Sequence, residues 1–218
     1  MGMTLYHGSD KIVEKPAYGL GNPYNDYGLG FYCTQQLELA KEWACTEGKD
    51  GFVNEYYFST DGLNVLYLND GNYNILNWLS ILLENRRFDL STPVAVQARA
   101  FLIRNYLPDY KNFDVIVGYR ADDSYFSFAR SFLSNGITLE QLGRAMALGK
   151  LGEQVVIMSE AAFARLTFVL STPVESGTYY ARRVFRDRNA RNDYLAMLAE
   201  PAKSDSVYVS DLINGKSI

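Results

Sequence analysis

The most constraining feature of this 218-residue chain is a run of turn-forming residues close to its first strand. Prolines and glycines recur among Asn, Asp and Tyr between positions 16 and 30. They are Pro16, Gly19, Gly21, Pro23, Gly28 and Gly30. Residues of these types favour turns and positive backbone angles, so we predict a long loop. Short strands are expected on either side of it, over residues 4–7 and 30–33. The first third of the chain is therefore predicted to be rich in strands and turns.

The remaining elements do not alternate regularly between strand and helix. A helix is predicted between Thr34, a suitable N-cap, and Gly48, a suitable stop. Further strands are expected at 52–58, 63–68, 113–118, 154–158 and 167–170, with a hairpin turn at Asp61-Gly62. Further helices are expected at 73–85, 94–106, 124–133, 139–148 and 160–166. The strand at 154–158 has a continuous apolar run, Val155-Val156-Ile157-Met158, which predicts a central position in its sheet. This irregular mixture favours the α+β class.

The composition changes after Pro173, where arginines become frequent. Five of them fall on a helix that is predicted to end near Leu198, before a short strand at 207–209. They are Arg182, Arg183, Arg186, Arg188 and Arg191. Such a cluster is commonly a solvated helix face, and the alternative is contact with nucleic-acid phosphates or an acidic partner. We expect residues 1–172 to form one domain and residues 173–218 to form a helical extension packed on it.

Charge and rare residues exclude several classes of function. The net charge of -4 and the isoelectric point near 5.1 argue against a globally basic nucleic-acid binder, although a local basic patch remains open. Two cysteines and one histidine exclude a disulfide framework and a standard zinc site, so no metal is expected. No apolar run is long enough to span a membrane and no signal-peptide pattern is visible. We therefore expect a cytoplasmic protein without membrane contact.

Two short motifs could place aromatic groups against a ligand. The single histidine, His7, ends the first strand directly before Gly8 and Ser9, and a glycine there would let a ligand approach the backbone. Tyr32 follows a turn that is bracketed by two glycines and could stack on a flat heterocycle. The structural alternatives are a hydrogen-bonded histidine and a core tyrosine.

Two further groups of polar residues could take part in chemistry. Glu153 and Gln154 open the apolar strand, where either side chain could hydrogen-bond a sugar hydroxyl or stabilise a cationic centre. The structural alternative is an exposed residue that starts a strand. The densest polar group of the chain consists of Arg120, Asp122, Asp123, Ser124 and Tyr125. It could orient an acceptor or close over a ligand, or it could be a solvated turn with Asp123 as an N-cap.

In this order along the chain, these motifs resemble the ADP-ribosyltransferase superfamily. The likeness is carried by Tyr6-His7-Gly8-Ser9, by Tyr27-Gly28-Leu29-Gly30-Phe31-Tyr32 and by Glu153-Gln154 before the apolar strand. The second string is similar to the corresponding stretch of the poly(ADP-ribose) polymerases. More closely, the chain resembles a bacterial family of domains of unknown function within that superfamily, over most of residues 4–170. That closer likeness includes residues 25–34, the helix to Trp43, residues 117–126 and residues 151–159.

The resemblance implies a fold and a substrate. The fold would be a split pair of small mixed or antiparallel sheets with flanking helices, a helical insertion in the middle and a C-terminal helical extension. NAD would lie between the sheets as a substrate. The Gly8 backbone would hold the nicotinamide carboxamide, His7 would hydrogen-bond the adenosine ribose, and Tyr32 would stack on nicotinamide. Ser9, Asn25 and Tyr27 would complete the NAD-binding set.

The third catalytic position departs from the glutamate that the family commonly uses. The residue directly before the Val-Val-Ile run is Gln154, which would bind the nicotinamide ribose without supplying a negative charge. Glu153 would point to the other face of the sheet, because strand side chains alternate. Glu55 is an alternative, because its Asn-Glu-Tyr string looks like the glutamate motif of the polymerases. It follows immediately after the helix that succeeds Tyr32, however, which is too early in the chain for the expected order of strands.

The resemblance implies mono-ADP-ribosyl transfer from NAD to a macromolecular acceptor, a protein side chain or a nucleic acid, with release of nicotinamide. It further implies a bacterial toxin or phage-defence effector, with an antitoxin protein as a candidate partner. One alternative, favoured by the neutral Gln154, is a catalytically weak or inactive module that binds NAD or a partner. The other is a structural domain in which His7 and Tyr32 are core residues.

Overall fold

The protein is described by a computed structural model that covers residues 2–121, 123–148, 152–201 and 203–217, with the backbone alone for 123 and 124. In chain order the strands are β1 (Gly2–Ser9), β2 (Phe31–Cys33), β3 (Gly51–Ser59), β4 (Val65–Tyr67), β5 (Val115–Tyr119), β6 (Glu153–Ile157) and β7 (Leu166–Val174). The helices are α1 (Leu37–Ala44), α2 (Ile75–Asn85), α3 (Pro93–Tyr106), α4 (Asp123–Leu133), α5 (Leu139–Ala147), α6 (Glu160–Phe163), α7 (Ser176–Leu198) and α8 (Val209–Ile213). The expected α+β class is confirmed.

The strands form two small sheets. The first sheet has the order β1-β3-β7 and is antiparallel throughout. The second sheet has the order β2-β6-β5-β4, in which β4 and β5 run parallel and the other pairs are antiparallel. The apolar strand β6 is internal in its sheet, as predicted from its composition. The long loop between residues 10 and 30 carries the chain from the first sheet to the second, with no described helix or strand inside it.

Apolar side chains fill the space between the sheets and the space between the second sheet and the helices. The inter-sheet layer includes Leu5, Phe58, Val115, Val155 and Ile157. The other layer is larger, since α2, α3, α4 and α5 all contribute to it. Its members include Trp78, Leu82, Leu102, Phe128, Phe132, Leu142 and, from the sheet, Ile116 and Val156. Alternate residues of β5 and β6 therefore face different layers, as the period of a strand requires.

Several boundaries differ from the sequence-based expectations. Thr34 is not the N-cap of α1, because its amide and carbonyl pair with Tyr6 of β1; Gln36 takes the N-cap position. Gly62 adopts the expected positive φ of 76°, but the turn joins strands of different sheets, so no hairpin forms. The strand expected at 207–209 is wrong: Asp211 accepts a hydrogen bond from the Tyr208 amide and helps to start α8.

The C-terminal part of the chain packs on the first sheet and on α1. Strand β7 is longer than expected and crosses position 172, so the last strand of the first sheet leads directly into α7. Two ion pairs then join α7 to α1, from Arg182 to Glu38 and from Arg186 to Glu42. None of the helices in the described ranges is both long and apolar enough to cross a membrane.

Candidate functional site at the junction of the two sheets

His7 lies where the first strands of the two sheets separate. The Tyr6 amide donates to the Thr34 carbonyl at 2.8 Å and the Thr34 amide donates back at 2.9 Å, which ties β1 to the end of β2. One residue further along β1, Nδ1 of His7 lies 2.8 Å from the carbonyl oxygen of Tyr32. A carbonyl oxygen can only accept a hydrogen bond, so Nδ1 carries the proton. Nε2 is then left as an acceptor.

The surroundings of His7 favour the neutral imidazole. Its ring centroid lies 4.3 Å from that of Phe31, in the apolar layer between the sheets. Burial lowers the pKa of His7 below its usual 6.5 and the nearby Arg120 cation lowers it further, while the hydrogen bond to Tyr32 acts in the opposite direction. At neutral pH the side chain is therefore an uncharged group with one free acceptor nitrogen.

Gly8 is required by packing as well as by any ligand. A Cβ at this position would lie 2.1 Å from the Ala40 carbonyl oxygen and 2.7 Å from the Ala44 amide, so α1 could not sit where it does beside a larger residue. Backbone groups alternate between the two edges of a strand. The Gly8 amide and carbonyl therefore lie on the same edge as those of Tyr6, at the point where β2 has moved away. No backbone partner for Gly8 lies on this edge in the described part of the chain.

Tyr32 closes the long loop on itself. Its hydroxyl donates to the Gly28 carbonyl at 2.6 Å and accepts from the Tyr27 amide at 3.1 Å. Gly28 has a φ of 81°, a conformation that favours glycine, so the loop can return the carbonyl to the ring that follows it. Burial raises the pKa of Tyr32, which keeps the phenol protonated. The ring remains partly exposed and lines a cavity.

A buried carboxylate, Asp26, connects four separate segments around this cavity. It is 4% exposed. One of its oxygens accepts from Nε of Arg86 at 2.8 Å, while the other accepts from the Ala121 amide at 3.0 Å and from Nε2 of Gln154 at 2.9 Å. Asp26 and Arg86 were not predicted as site residues, because an Asp between Asn and Gly-rich residues is typical of an ordinary turn. Only the later elements of the chain reveal its partners.

Gln154 is held in one orientation by two acceptors. Its Nε2 faces the Asp26 carboxylate and, at 3.4 Å, the Tyr119 carbonyl oxygen. Because neither partner can donate to it, the amide nitrogen must lie on that side, and Oε1 is the atom left to accept from a ligand. Glu153 lies on the opposite face, exposed, with its carboxylate accepting from Asn69 at 2.8 Å. Glu55 belongs to β3 of the other sheet and pairs with Tyr6.

These groups meet around a cavity of about 150 Å³. Its walls bring together predicted residues that are far apart in the chain: Asn25, Tyr32, Arg120 and Gln154, with Asp26, Arg86 and Ala121 between them. Arg120 also stacks its guanidinium on the Trp43 ring of α1. The indole Nε1 of Trp43 is buried and has no hydrogen-bond partner among the described residues. The cavity thus combines an aromatic ring, an acceptor amide, a carboxylate and two guanidinium groups.

Other predicted residues lie elsewhere. Tyr27 is 1% exposed and donates to the Tyr119 carbonyl at 2.6 Å, so it is a core residue that supports the site from behind. Tyr125 is also a core residue, since α4 turns it inward against Phe128 and its hydroxyl bonds the Leu148 carbonyl. The expectation that Tyr125 orients an acceptor or closes over NAD is therefore wrong. Ser9 is the last residue of β1, and its hydroxyl accepts from the Lys11 amide.

Two predicted acidic residues have no described side chain. Asp122 lies outside the described residues, and Asp123 is described by its backbone alone, at the first position of α4. Their suggested part in binding an acceptor stays a prediction.

Three of the five arginines of the α7 cluster form ion pairs within the molecule. Nε of Arg186 donates to the Glu42 carboxylate of α1 at 2.9 Å, and both side chains are mostly buried, at 15% and 11% exposure. Arg182 bonds Glu38 and Arg191 bonds Asp187, each at 2.8 Å. Contacts with α1 therefore account for Arg186 and Arg182 without an external phosphate.

Comparison with known proteins identifies a family without identifying an activity. A family model described as a protein of unknown function, DUF3990, matches residues 3–168, which include both sheets up to the start of β7 and every wall of the cavity. No curated protein and no solved structure matches the chain. The matched region covers about three quarters of the sequence, and the chain therefore belongs to the DUF3990 family.

Proposed function

We propose that this protein is an NAD-dependent mono-ADP-ribosyltransferase of the ADP-ribosyltransferase superfamily, which transfers ADP-ribose to a macromolecular acceptor and releases nicotinamide. The observation that carries this proposal is the meeting of Tyr32, Arg120 and Gln154 around one cavity, with His7 bonded to the backbone carbonyl of Tyr32. The motifs that resemble the superfamily are distant in sequence, and a purely structural role gives no reason for them to meet at a cavity.

Two hydrogen-bond acceptors suit a substrate that is rich in hydroxyl groups. Nε2 of His7 and Oε1 of Gln154 can each accept from a ribose hydroxyl, because their other polar atoms are already bonded to Tyr32 and to Asp26. In NAD, His7 would bind the adenosine ribose and Gln154 the nicotinamide ribose. Both side chains are held by neighbouring groups before the substrate arrives, which lowers the entropic cost of orienting it.

The separation of β1 from β2 supplies a place for nicotinamide. The Gly8 amide and carbonyl lie on the open edge of β1, and one donor with one acceptor matches a carboxamide. The Tyr32 ring would stack on the pyridinium. Arg120 lines the cavity, and its positive charge lowers the pKa of His7. Its guanidinium would lie close to the pyrophosphate of NAD. Asn25 and Ser9 remain proposed contacts at the margin.

The chemistry needs a negative field more than it needs a proton donor. Breaking the glycosidic bond returns its electron pair to the pyridinium nitrogen, so nicotinamide leaves neutral and the ribose C1 gains positive charge. The acceptor nucleophile then bonds to C1 and releases its proton to solvent. A fixed carboxylate near C1 stabilises this cationic transition state. Gln154 is neutral, and the carboxylate nearest to it is that of Asp26, which lies 2.9 Å from its Nε2 and is also paired with Arg86.

A biological setting follows from the same resemblance. The proposal includes a toxin or phage-defence role in a bacterial cytoplasm, with an antitoxin as partner. It predicts that expression in a bacterial host arrests growth and that Tyr32→Ala relieves the arrest. If Tyr32→Ala accumulates to the same level and remains equally toxic, this setting is wrong.

The binding half of the proposal is tested by thermal unfolding with NAD. Ligand at 100 times its dissociation constant adds about 2.7 kcal/mol to the free energy of unfolding. The expected result is a rise in melting temperature that is lost in Tyr32→Ala and retained in Glu55→Gln, a carboxylate change outside the cavity. No stabilisation of the folded wild-type protein at any NAD concentration would overturn the proposal.

The transfer half is tested by labelling lysate with tagged NAD and the purified protein. We expect label on a macromolecule, lost in His7→Ala and Gln154→Ala and kept in Glu55→Gln. Stabilisation by NAD without transfer to any lysate component would instead support the inactive NAD-binding module that the neutral Gln154 favours. Loss of transfer in Glu55→Gln with retention in Gln154→Ala would show that the third position is wrongly assigned.

A further inference from the structure

A second and larger cavity adjoins the candidate site and is strongly cationic. It has a volume of about 590 Å³ and shares Arg86 as a wall with the smaller cavity. Three more guanidinium groups line it, from Arg87, Arg130 and Arg191. These arginines come from α4, from α7 and from the segment after α2, so the fold, and not a local run of sequence, brings them together. Arg87 and Arg130 are exposed to solvent.

Aromatic rings are interleaved with these charges. The Arg87 guanidinium lies 4.0 Å from the centroid of the exposed Tyr24 ring, and that of Arg86 lies 4.5 Å from the Phe126 ring. Phe88 packs 5.5 Å from Phe126 on the same wall. Alternating guanidinium groups and rings are the features with which proteins bind the phosphates and the bases of a single strand.

A third cavity adjoins the 590 Å³ cavity. It has a volume of about 380 Å³, shares Asp89 and Arg130 with that cavity, and adds the hydroxyl-bearing walls of Ser91, Ser131 and Ser134. The three cavities therefore adjoin one another in a row through common wall residues, starting from the candidate site. We call the two larger cavities together the arginine groove. Adjoining cavities of this kind suit an extended polymer better than a mononucleotide.

The local charge opposes that of the whole molecule. The chain carries a net charge of -4, which repels a polyanion at long range. Among the described walls of the 590 Å³ cavity, Asp89 is the one carboxylate beside four arginines, although Arg86 is also paired with Asp26 and Arg191 with Asp187. Binding should therefore depend on the groove itself, and should weaken steeply as salt rises.

We propose that the arginine groove binds single-stranded nucleic acid and presents it to the candidate site as the acceptor of ADP-ribose. The acceptor role rests on the proposed function, whereas strand binding does not need NAD. The groove meets the smaller cavity at Arg86, beside Asp26, so a nucleotide at that end would lie next to the group that loses nicotinamide.

The test is fluorescence anisotropy of the full chain with labelled oligonucleotides of about 12 nucleotides, within the span that single-strand sites cover. Single-stranded DNA and RNA, a duplex and a phosphopeptide are compared without NAD. We expect a single strand to bind more tightly than the duplex and the phosphopeptide. Arg87→Glu combined with Arg130→Glu should weaken its affinity at least tenfold. Arg104→Glu, which reverses an exposed charge on α3 outside the groove, should leave affinity within about twofold.

Two further measurements separate the groove from general electrostatics. Each of Arg87→Gln and Arg130→Gln should reduce the salt dependence of log affinity by about 0.7, the contribution of one single-strand phosphate contact. Tyr24→Ala removes an exposed ring without removing a charge, and should weaken binding about fivefold or more at every salt concentration. Circular dichroism and melting temperature establish that each variant is folded.

Several outcomes would overturn the proposal. They are equal binding of duplex, preference for the phosphopeptide, no binding at low salt, or no effect of the double reversal. Competition of the strand by NAD would assign the groove to the NAD pyrophosphate instead. Because the NAD thermal shift is measured separately, failure of strand binding beside a normal NAD shift leaves the proposed function intact. Strand binding without an NAD shift would support nucleic-acid binding by the groove and overturn the proposed function.

Discussion

At the scale of single residues, the site depends on two side chains. In each of them one polar atom is bonded to the protein and a second is available to a ligand. His7 bonds the Tyr32 carbonyl through Nδ1, and Gln154 bonds Asp26 through Nε2. In both residues one atom is committed to the fold and fixes which other atom can accept from a substrate. Their chemistry is therefore set by residues that the ligand does not touch.

The single histidine makes its environment directly measurable. Because burial and Arg120 hold the pKa of His7 below 6.5, the unfolded chain binds more protons than the folded chain between that lowered value and 6.5. The free energy of unfolding should therefore fall as pH drops through this window. Imidazole NMR signals should titrate below 6.5, and His7→Gln should lack this part of the pH dependence in urea unfolding. Titration of the folded protein at or above 6.5 would contradict the prediction.

Asp26 should be important for stability as well as for the site. Asp26→Asn removes the charge from the ion pair with Arg86 and disturbs two further hydrogen bonds. Charged hydrogen bonds contribute about 1.5–3 kcal/mol each, but Arg86 is 30% exposed and solvent weakens the pair, so we expect a loss of about 2 kcal/mol in urea unfolding. Asp109→Asn, an exposed turn carboxylate, should stay within about 0.5 kcal/mol. Equal effects of the two changes would show that the contacts of Asp26 contribute no more to stability than those of an exposed carboxylate.

At the scale of elements, α7 and α1 are joined by two ion pairs that differ in burial. The Arg186–Glu42 pair is mostly buried, whereas Arg182 and Glu38 are more than half exposed. Helix α1 in turn packs against Gly8, so the position of α7 bears on the strand that carries His7. An element outside the matched family region thus supports an element inside it.

The two pairs should contribute unequally to stability. Arg186→Met leaves Glu42 buried without its cation, which we expect to cost about 2 kcal/mol or more. Arg182→Met breaks an exposed pair and should cost about 0–1 kcal/mol. Chemical denaturation of both variants measures the difference. Indistinguishable midpoints would mean that the buried pair contributes no more than the exposed one.

At the scale of the whole molecule, local patterns predicted the elements better than their connections. The periodicity of α2, α3 and α5 and the apolar run of β6 located those elements within a few residues. The partners of Asp26 were not predictable, because they lie 60, 95 and 128 residues away along the chain. The inward turn of Tyr125 was not predictable either, because it depends on how α4 packs in the core. The candidate site was predicted where its residues lie in short local motifs. The arginine groove was missed because its arginines are scattered along the chain.

The orientation of Gln154 has a consequence for how such sites are recognised. A glutamate at 154 would bring a second carboxylate within hydrogen-bond reach of Asp26, and two like charges so close together repel each other. Among the described walls of the cavity, the one carboxylate is that of Asp26, so the long loop carries the acid in place of the strand. Loops diverge faster in sequence than the strands they connect. A search that expects an acid on the strand would discard sequences in which the acid has only changed its position in the chain.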